Sequence, residues 1–147
     1  MASRTKLANE AWEALFRAQR TIYGEFERSA EVWGALAPTE YGVLYALSTA
    51  PGPLRITELC EDVLLSQPGM SRLIARLEDK GLIERVGDPS DARASRVRMT
   101  AAGVRTQRQV GAAHAREVGR LMTGGLDRDE LTKLRELCRK LIGADSE

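Results

Sequence analysis

The sequence predicts a mainly α-helical chain with a small β element, an α+β class. Three observations predict it. Both ends of the chain repeat apolar residues at helical spacing: Leu7, Ala11, Leu15, Ala18 and Ile22 near the start, and Leu134, Leu137, Cys138, Leu141 and Ile142 near the end. A short helix at 66–80 has both of its ends written in turn and cap residues. Two strand-like runs follow it, 82–86 and 96–100, separated by a stretch dense in Gly, Pro, Asp and Ser. Helix, strand, loop and returning strand, preceded by another short helix, make a winged helix-turn-helix flanked by long helices.

The elements follow in order. The first helix covers 5 to about 28, and Trp12, Phe16, Tyr23 and Phe26 widen its apolar stripe. So wide a stripe must be buried against something large. The segment 34–38 breaks the chain, and a second helix carries Tyr41, Val43, Leu44, Tyr45 and Leu47 until Pro51-Gly52-Pro53 ends it. Ile56 is read as a small extra strand. Thr57 is read as the cap of a third helix running from Glu58 to Leu64, with Glu58 and Glu61 near its positive end. Thr100 is read as the cap of a helix that continues the apolar face through Val104, Val110, Val118, Leu121 and Met122 until Gly124-Gly125. Asp127, with Glu130 three residues on, predicts a capping box at the start of the last helix.

The 66–80 helix carries the chemistry. Ser66 can cap its N-terminus, Pro68 sits in the first turn where a missing N–H costs nothing, and Gly81 stops it. Met70, Leu73, Ile74 and Leu77 form the buried face. Gln67, Ser71, Arg72 and Arg76 fall on the other side. An amide, a hydroxyl and two guanidinium groups on a short exposed helix suit the DNA major groove, where Arg reads guanine and Gln reads adenine. Taken alone, the same face is also that of an ordinary surface helix. The loop and strands that follow decide between the two.

In the order and spacing of four pieces the chain resembles the MarR family of bacterial transcription regulators. They are Leu-Arg-Ile-Thr-Glu-Leu (54–59), Leu-Leu-Ser-Gln-Pro-Gly-Met-Ser-Arg-Leu-Ile-Ala-Arg-Leu-Glu (64–78), Lys-Gly-Leu-Ile-Glu-Arg (80–85), and Asp-Pro-Ser-Asp-Ala-Arg followed by Val-Arg-Met-Thr (88–100). The resemblance covers almost the whole chain. It implies one domain over 1–147, with dimerisation helices at 1–36 and 101–147 and a winged DNA-binding region at 37–100. It also implies a homodimer that binds double-stranded DNA as a repressor on a pseudo-palindromic operator and is released by a small aromatic or anionic effector.

On this reading Gln67, Ser71, Arg72 and Arg76 reach base edges and nearby phosphates, and Ser66 and Pro68 shape the helix start beside a phosphate. Arg93, near the wing tip, enters the minor groove, where a cation responds to groove width more than to base identity. Arg96, with Arg98, lies along the returning strand and meets phosphates or solvent. Two departures from the family pattern stand out. Ala37 occupies a position usually held by a capping Ser or Thr, at a cost of about 1 kcal/mol unless Thr39 substitutes. Ala75 replaces an acid that in many members pairs with the wing arginine, which leaves Asp91 to hold Arg93. The implied effector pocket draws on Trp12, Phe16, Tyr23, Trp33, Tyr41, Tyr45 and His114, for most of which core or dimer packing is the competing reading.

Composition bounds the rest. The chain has 147 residues, 43% hydrophobic and 29% charged, with a net charge of +1. That is a globular composition with no apolar run long enough for a bilayer and no signal peptide, so the cytoplasm is expected. Cys60 and Cys138 lie far apart and outside any C-x-x-C spacing, as expected of free thiols in a reducing compartment. The lone His114 has no evident triad or metal partners, and no phosphate-cradling loop is present, so neither an enzyme nor a metal or cofactor site is expected. Two alternatives stay open: a winged-helix regulator controlled by oxidation, and a protein–protein interaction module without an effector.

Overall fold

The computed structural model describes residues 3–63 and 65–143. Seven helices and three short strands run α1 (Arg4–Arg28), α2 (Ala30–Trp33), α3 (Pro38–Thr49), β1 (Leu54–Arg55), α4 (Ile56–Val63), α5 (Gln67–Asp79), β2 (Ile83–Asp88), β3 (Asp91–Met99), α6 (Ala101–Thr123) and α7 (Arg128–Ile142) among the described residues. The strands form one antiparallel sheet in the order β1-β3-β2. The chain groups into two compact units, Met1–His114 and Ala115–Glu147.

The first unit holds the core. Val43 and Leu44 of α3, Leu59 of α4, Met70, Leu73, Ile74 and Leu77 of α5, and Val97 of β3 are fully buried. All four expected apolar positions of α5 are among them. Each such side chain contributes about 1.5–3 kcal/mol by leaving water, so α5 is fixed on one side and free to present the other. The core continues through Trp33, Leu36, Tyr41, Leu82 and Ile83 to Val110 of α6. Gly103 lets α6 approach the end of β2's lead-in, because a Cβ there would lie 1.9 Å from the carbonyl oxygen of Leu82. That carbonyl also accepts the Thr100 amide at 3.0 Å.

Caps account for most boundaries. Ser66 Oγ accepts the Gly69 amide at 3.2 Å, and Gly81 closes the other end of α5 at φ +71°. Thr100 Oγ1 accepts the Gly103 amide at 3.1 Å, as expected. In the second unit, Asp127 and Glu130 exchange reciprocal bonds of 2.9 Å at the start of α7. Gly143 ends that helix in the left-handed conformation.

Several expectations need correction. Ile56 starts α4, and the extra strand is Leu54–Arg55. Thr57 is therefore inside the helix, and Glu58 reaches back to accept the Arg55 amide at 3.1 Å. The expected end of that helix at Leu64 lies outside the described residues. The short α2 was not anticipated from the sequence. Ala37 is the N-cap of α3 without a side-chain bond and Thr39 does not replace it; Glu40 supplies only the return bond to the Ala37 amide, at 2.9 Å. The wing is less of a loop than its composition suggests, since β2 and β3 run to a tight turn at Pro89-Ser90.

Candidate nucleic-acid interface

The exposed face of α5 is built by default. Burial of every third or fourth residue leaves Ser66, Gln67, Pro68, Ser71, Arg72, Ala75 and Arg76 in solvent. Arg72 and Arg76 have no ion-pair partner among the described residues. Their charge is therefore not spent within the fold. Arg85 of β2 is different: its Nε pairs with Glu78 at 2.9 Å and ties the sheet to α5.

The wing is a hairpin with an irregular tip. Gly87 pairs with Ser95 and Asp88 with Asp91, so Ala92, Arg93 and Ala94 fall within the register shift. Such a bulge twists a ribbon and re-aims a side chain. Asp91 does hold Arg93, but by the backbone: Oδ1 accepts the Arg93 amide at 2.9 Å, and the guanidinium stays exposed without an ion-pair partner among the described residues.

Arg96 is placed otherwise than the sequence suggests. It is half-buried at the foot of the wing, its Nε 3.2 Å from Asp88 Oδ2 and its Nη1 donating to the Pro53 carbonyl at 3.2 Å. Arg98 pairs across the hairpin with Glu84 at 2.7 Å. The Asp88 side chain is wholly enclosed. It accepts the Ser90 hydroxyl at 2.7 Å, the Ser90 amide at 2.9 Å and Arg55 Nε at 2.7 Å. Those bonds, the Ser90 pair first, hold its carboxyl far below the usual carboxylate range. Arg55 also donates to Ser90 Oγ at 2.9 Å. Sequence reasoning missed Arg55 and Ser90, because their partner lies more than thirty residues away for one and inside a turn for the other.

The seven aromatic and histidine positions divide. Trp33, Tyr41 and His114 come together with Phe26, which sequence reasoning had not included. His114 lies 4.8 Å from Phe26, 5.0 Å from Trp33 and 5.3 Å from Tyr41, centroid to centroid. Its Nδ1 is buried without a hydrogen-bond partner among the described residues, and burial lowers its pKa. Tyr41 is shifted upward, also by burial. Tyr23 and Tyr45 instead line a separate groove of about 460 Å³ with Pro38, Thr39, Thr49 and Asp62. Trp12 and Phe16 form an exposed pair on α1, 6.2 Å apart, with Arg20 over the Phe16 ring.

A capped helix with a free polar face is followed by a hairpin that carries an exposed arginine at its tip. Residues 36–94 match the model of the MarR family. Over that segment the chain is similar to the MarR family. A putative transcriptional regulatory protein for the hcr operon of Thauera aromatica is 28% identical over 141 residues, covering 96% of this chain and 84% of that one. The PcaV transcriptional regulator of Streptomyces coelicolor, solved with its natural ligand, is 26% identical, covers 98% of this chain and 94% of its own, and superposes with a TM-score of 0.65. Sco3205, a MarR-family regulator of the same organism solved in complex with DNA, shares the fold at a TM-score of 0.78 and 23% identity over 98% of this chain and 89% of its own. The known proteins that it is similar to are transcriptional regulators. No helix among the described residues is long and apolar enough to cross a membrane.

Proposed function

We propose that this protein is a member of the MarR family that works as a homodimeric, sequence-specific repressor on a pseudo-palindromic operator and is released by a small aromatic or anionic effector. The single observation that carries the DNA reading is the free polar face of α5, with Gln67, Ser71, Arg72 and Arg76 exposed and Arg72 and Arg76 unpaired among the described residues. Ser66 and Pro68 present the helix start to a phosphate, Arg93 enters the minor groove beside it, and Arg96 supports the wing from behind. That Sco3205 was solved with DNA supports the same use of the shared fold.

Dimerisation is supported by what the chain leaves uncovered. Leu7, Trp12, Leu15 and Phe16 of α1 and Leu137, Leu141 and Ile142 of α7 are exposed. Apolar patches of that kind are rarely left to solvent, and a second copy would cover both. Two-fold symmetry of the protein then demands two-fold symmetry in the operator. The effector reading is supported by the ring cluster around His114 and by the ligand found in PcaV. On this reading 1–147 acts as one functional unit in the cytoplasm.

The test is a mobility shift of the full chain on the intergenic DNA beside its own gene and on a scrambled duplex, at stepped salt. Light scattering at the same concentrations accompanies it. Tight, salt-dependent binding to the first duplex by a particle of twice 16.2 kDa, released by an aromatic acid, is the expected result. Equal affinity for both duplexes, or a well-folded monomer, overturns it.

A further inference from the structure

The closed set of bonds at the foot of the wing has a function that no contact to DNA would reveal. A two-stranded ribbon is marginal by itself in water, so something must fix its tip if the tip is to deliver a charge. Here a single carboxylate does so. Asp88, at the end of β2, gathers Arg55 from β1, Ser90 from the turn and Arg96 from β3. Arg55 closes a second ring through Ser90 Oγ. Arg96 and the Arg55 backbone both reach Glu58 of α4, at 3.8 and 3.1 Å. Side chains from β1, β3 and the turn thus converge on the enclosed Asp88 side chain of β2, and Glu58 of α4 braces the two arginines from behind. Breaking one member of such a network leaves buried charges without partners. Two residues beyond the Asp91 end of the Asp88–Asp91 pair, the Asp91 carboxylate accepts the Arg93 amide, so the backbone that carries that guanidinium is held next to the clamp.

We propose that Asp88 is the positioning residue of the wing: through Arg55, Ser90 and Arg96 it preorganises the hairpin so that Arg93 meets DNA without an ordering cost. The proposal rests on the DNA-binding reading above. It makes Arg55 and Arg96, two cations of a basic region, scaffold and not phosphate ligands.

Two measurements test it, one without DNA. In the free full-length protein, Asp88→Asn should raise amide hydrogen exchange at Ala92 and Arg93 at least tenfold, leaving the amides of α5 unchanged. Ser90→Ala, which removes the hydroxyl relay without stranding a charge, should act in the same direction more weakly, and it serves if Asp88→Asn does not fold. On operator DNA, Arg93→Ala should weaken the wild type about tenfold. The same change should cost less than about twofold once Asp88→Asn or Ser90→Ala is present, because the contact it removes is no longer formed. Arg72→Ala should cost the same in every background. Unchanged exchange at the wing tip in both variants overturns the proposal whatever DNA does. So does an undiminished Arg93→Ala effect in both backgrounds. Tighter binding of Asp88→Asn to every duplex, with a steeper salt dependence, also overturns it, since Asp88 would then be masking Arg55 and Arg96. Absence of any salt-dependent binding by the wild type refutes the DNA reading itself, and the exchange result still stands apart from it.

Discussion

Lys80, the C-cap residue that follows α5, sets its ammonium against the buried carboxylate of Glu40 in the first turn of α3. Nζ lies 2.8 Å from one carboxylate oxygen and 3.0 Å from the other, and it also donates to the Ala35 carbonyl at 3.0 Å. Glu40 is only 4% exposed and spends one oxygen on the Ala37 amide as well. One lysine therefore joins the C-terminal end of α5 to the first turn of α3 and to the turn that follows Trp33. Lys80→Met should destabilise the protein by about 1–3 kcal/mol, because the Glu40 carboxylate keeps its burial and loses its charged partner. Urea unfolding would show this as a lower midpoint at unchanged slope. A midpoint within error of the wild type would mean that water replaces the lysine at no cost.

Gly103 supplies the second prediction. A Cβ at this position would overlap the Leu82 carbonyl, and backbone on both sides leaves nothing flexible to yield. Gly103→Ala should cost about 3 kcal/mol or more, against the usual gain for Gly to Ala in a helix. Gly119, where a Cβ meets nothing within 4 Å, is the internal control: Gly119→Ala should stabilise by about 0.5–1 kcal/mol. Equal effects at the two sites would contradict the close approach seen here.

The third prediction repairs a missing cap. Ala37 already has N-cap geometry, φ −81° and ψ 153°, and Glu40 already makes the return bond. Ala37→Ser should complete the box and add about 0.5–1 kcal/mol, read as a raised thermal midpoint.

On the proposed DNA-binding reading, Arg72 and Arg93 divide the work in different ways. Arg72 projects from a helix suited to the major groove, so Arg72→Ala should cost about 1–3 kcal/mol on the operator and relax preference at one base pair per half-site. Arg93→Ala should weaken binding more evenly across sequences and reduce the salt slope by about one unit per protomer. Salt titrations of both variants on operator and scrambled duplex separate them. Equal loss on both duplexes for Arg72→Ala would reduce that residue to a phosphate contact.

His114 gives a pH dependence with a definite sign. Burial among Phe26, Trp33 and Tyr41 lowers its pKa below the ordinary histidine value of 6.5, so the folded state takes up a proton less readily than the unfolded one. Its contribution to stability is complete above about pH 6.5 and is lost as pH falls from there toward the depressed folded value. Imidazole NMR should show a midpoint below the free-histidine value. His114→Phe should remove this part of the acid-side loss of stability. A midpoint at or above 6.5 would contradict the buried, uncharged ring.

How much of this was legible in the sequence depends on how far apart the partners lie. Periodicity and caps are local, and so the buried face of α5, the Ser66 and Gly81 boundaries, the Thr100 cap and the Asp127–Glu130 box all read directly from neighbours a turn away. The solvent face of α5 follows by subtraction, which is why the exposure of Gln67, Ser71, Arg72 and Arg76 was legible. The family resemblance rests on the same local pieces.

Only the tertiary structure decided the rest, because charge and glycine carry no local signature of their long-range partners. Arg96 alternates along its strand as a phosphate ligand would, and only the fold shows that Asp88 has claimed it. Arg55 precedes a helix with no hint that it spans to the wing. His114 looked like one member of a loose aromatic set until Phe26, Trp33 and Tyr41 closed around it and left Trp12 and Phe16 elsewhere. Gly103 sits in an ordinary helical pattern, and nothing in that pattern announces a carbonyl oxygen from the strand region pressing on its missing side chain. Local spacing fixes which face of an element is apolar; which distant group fills the space opposite each polar or vacant position is set by packing alone.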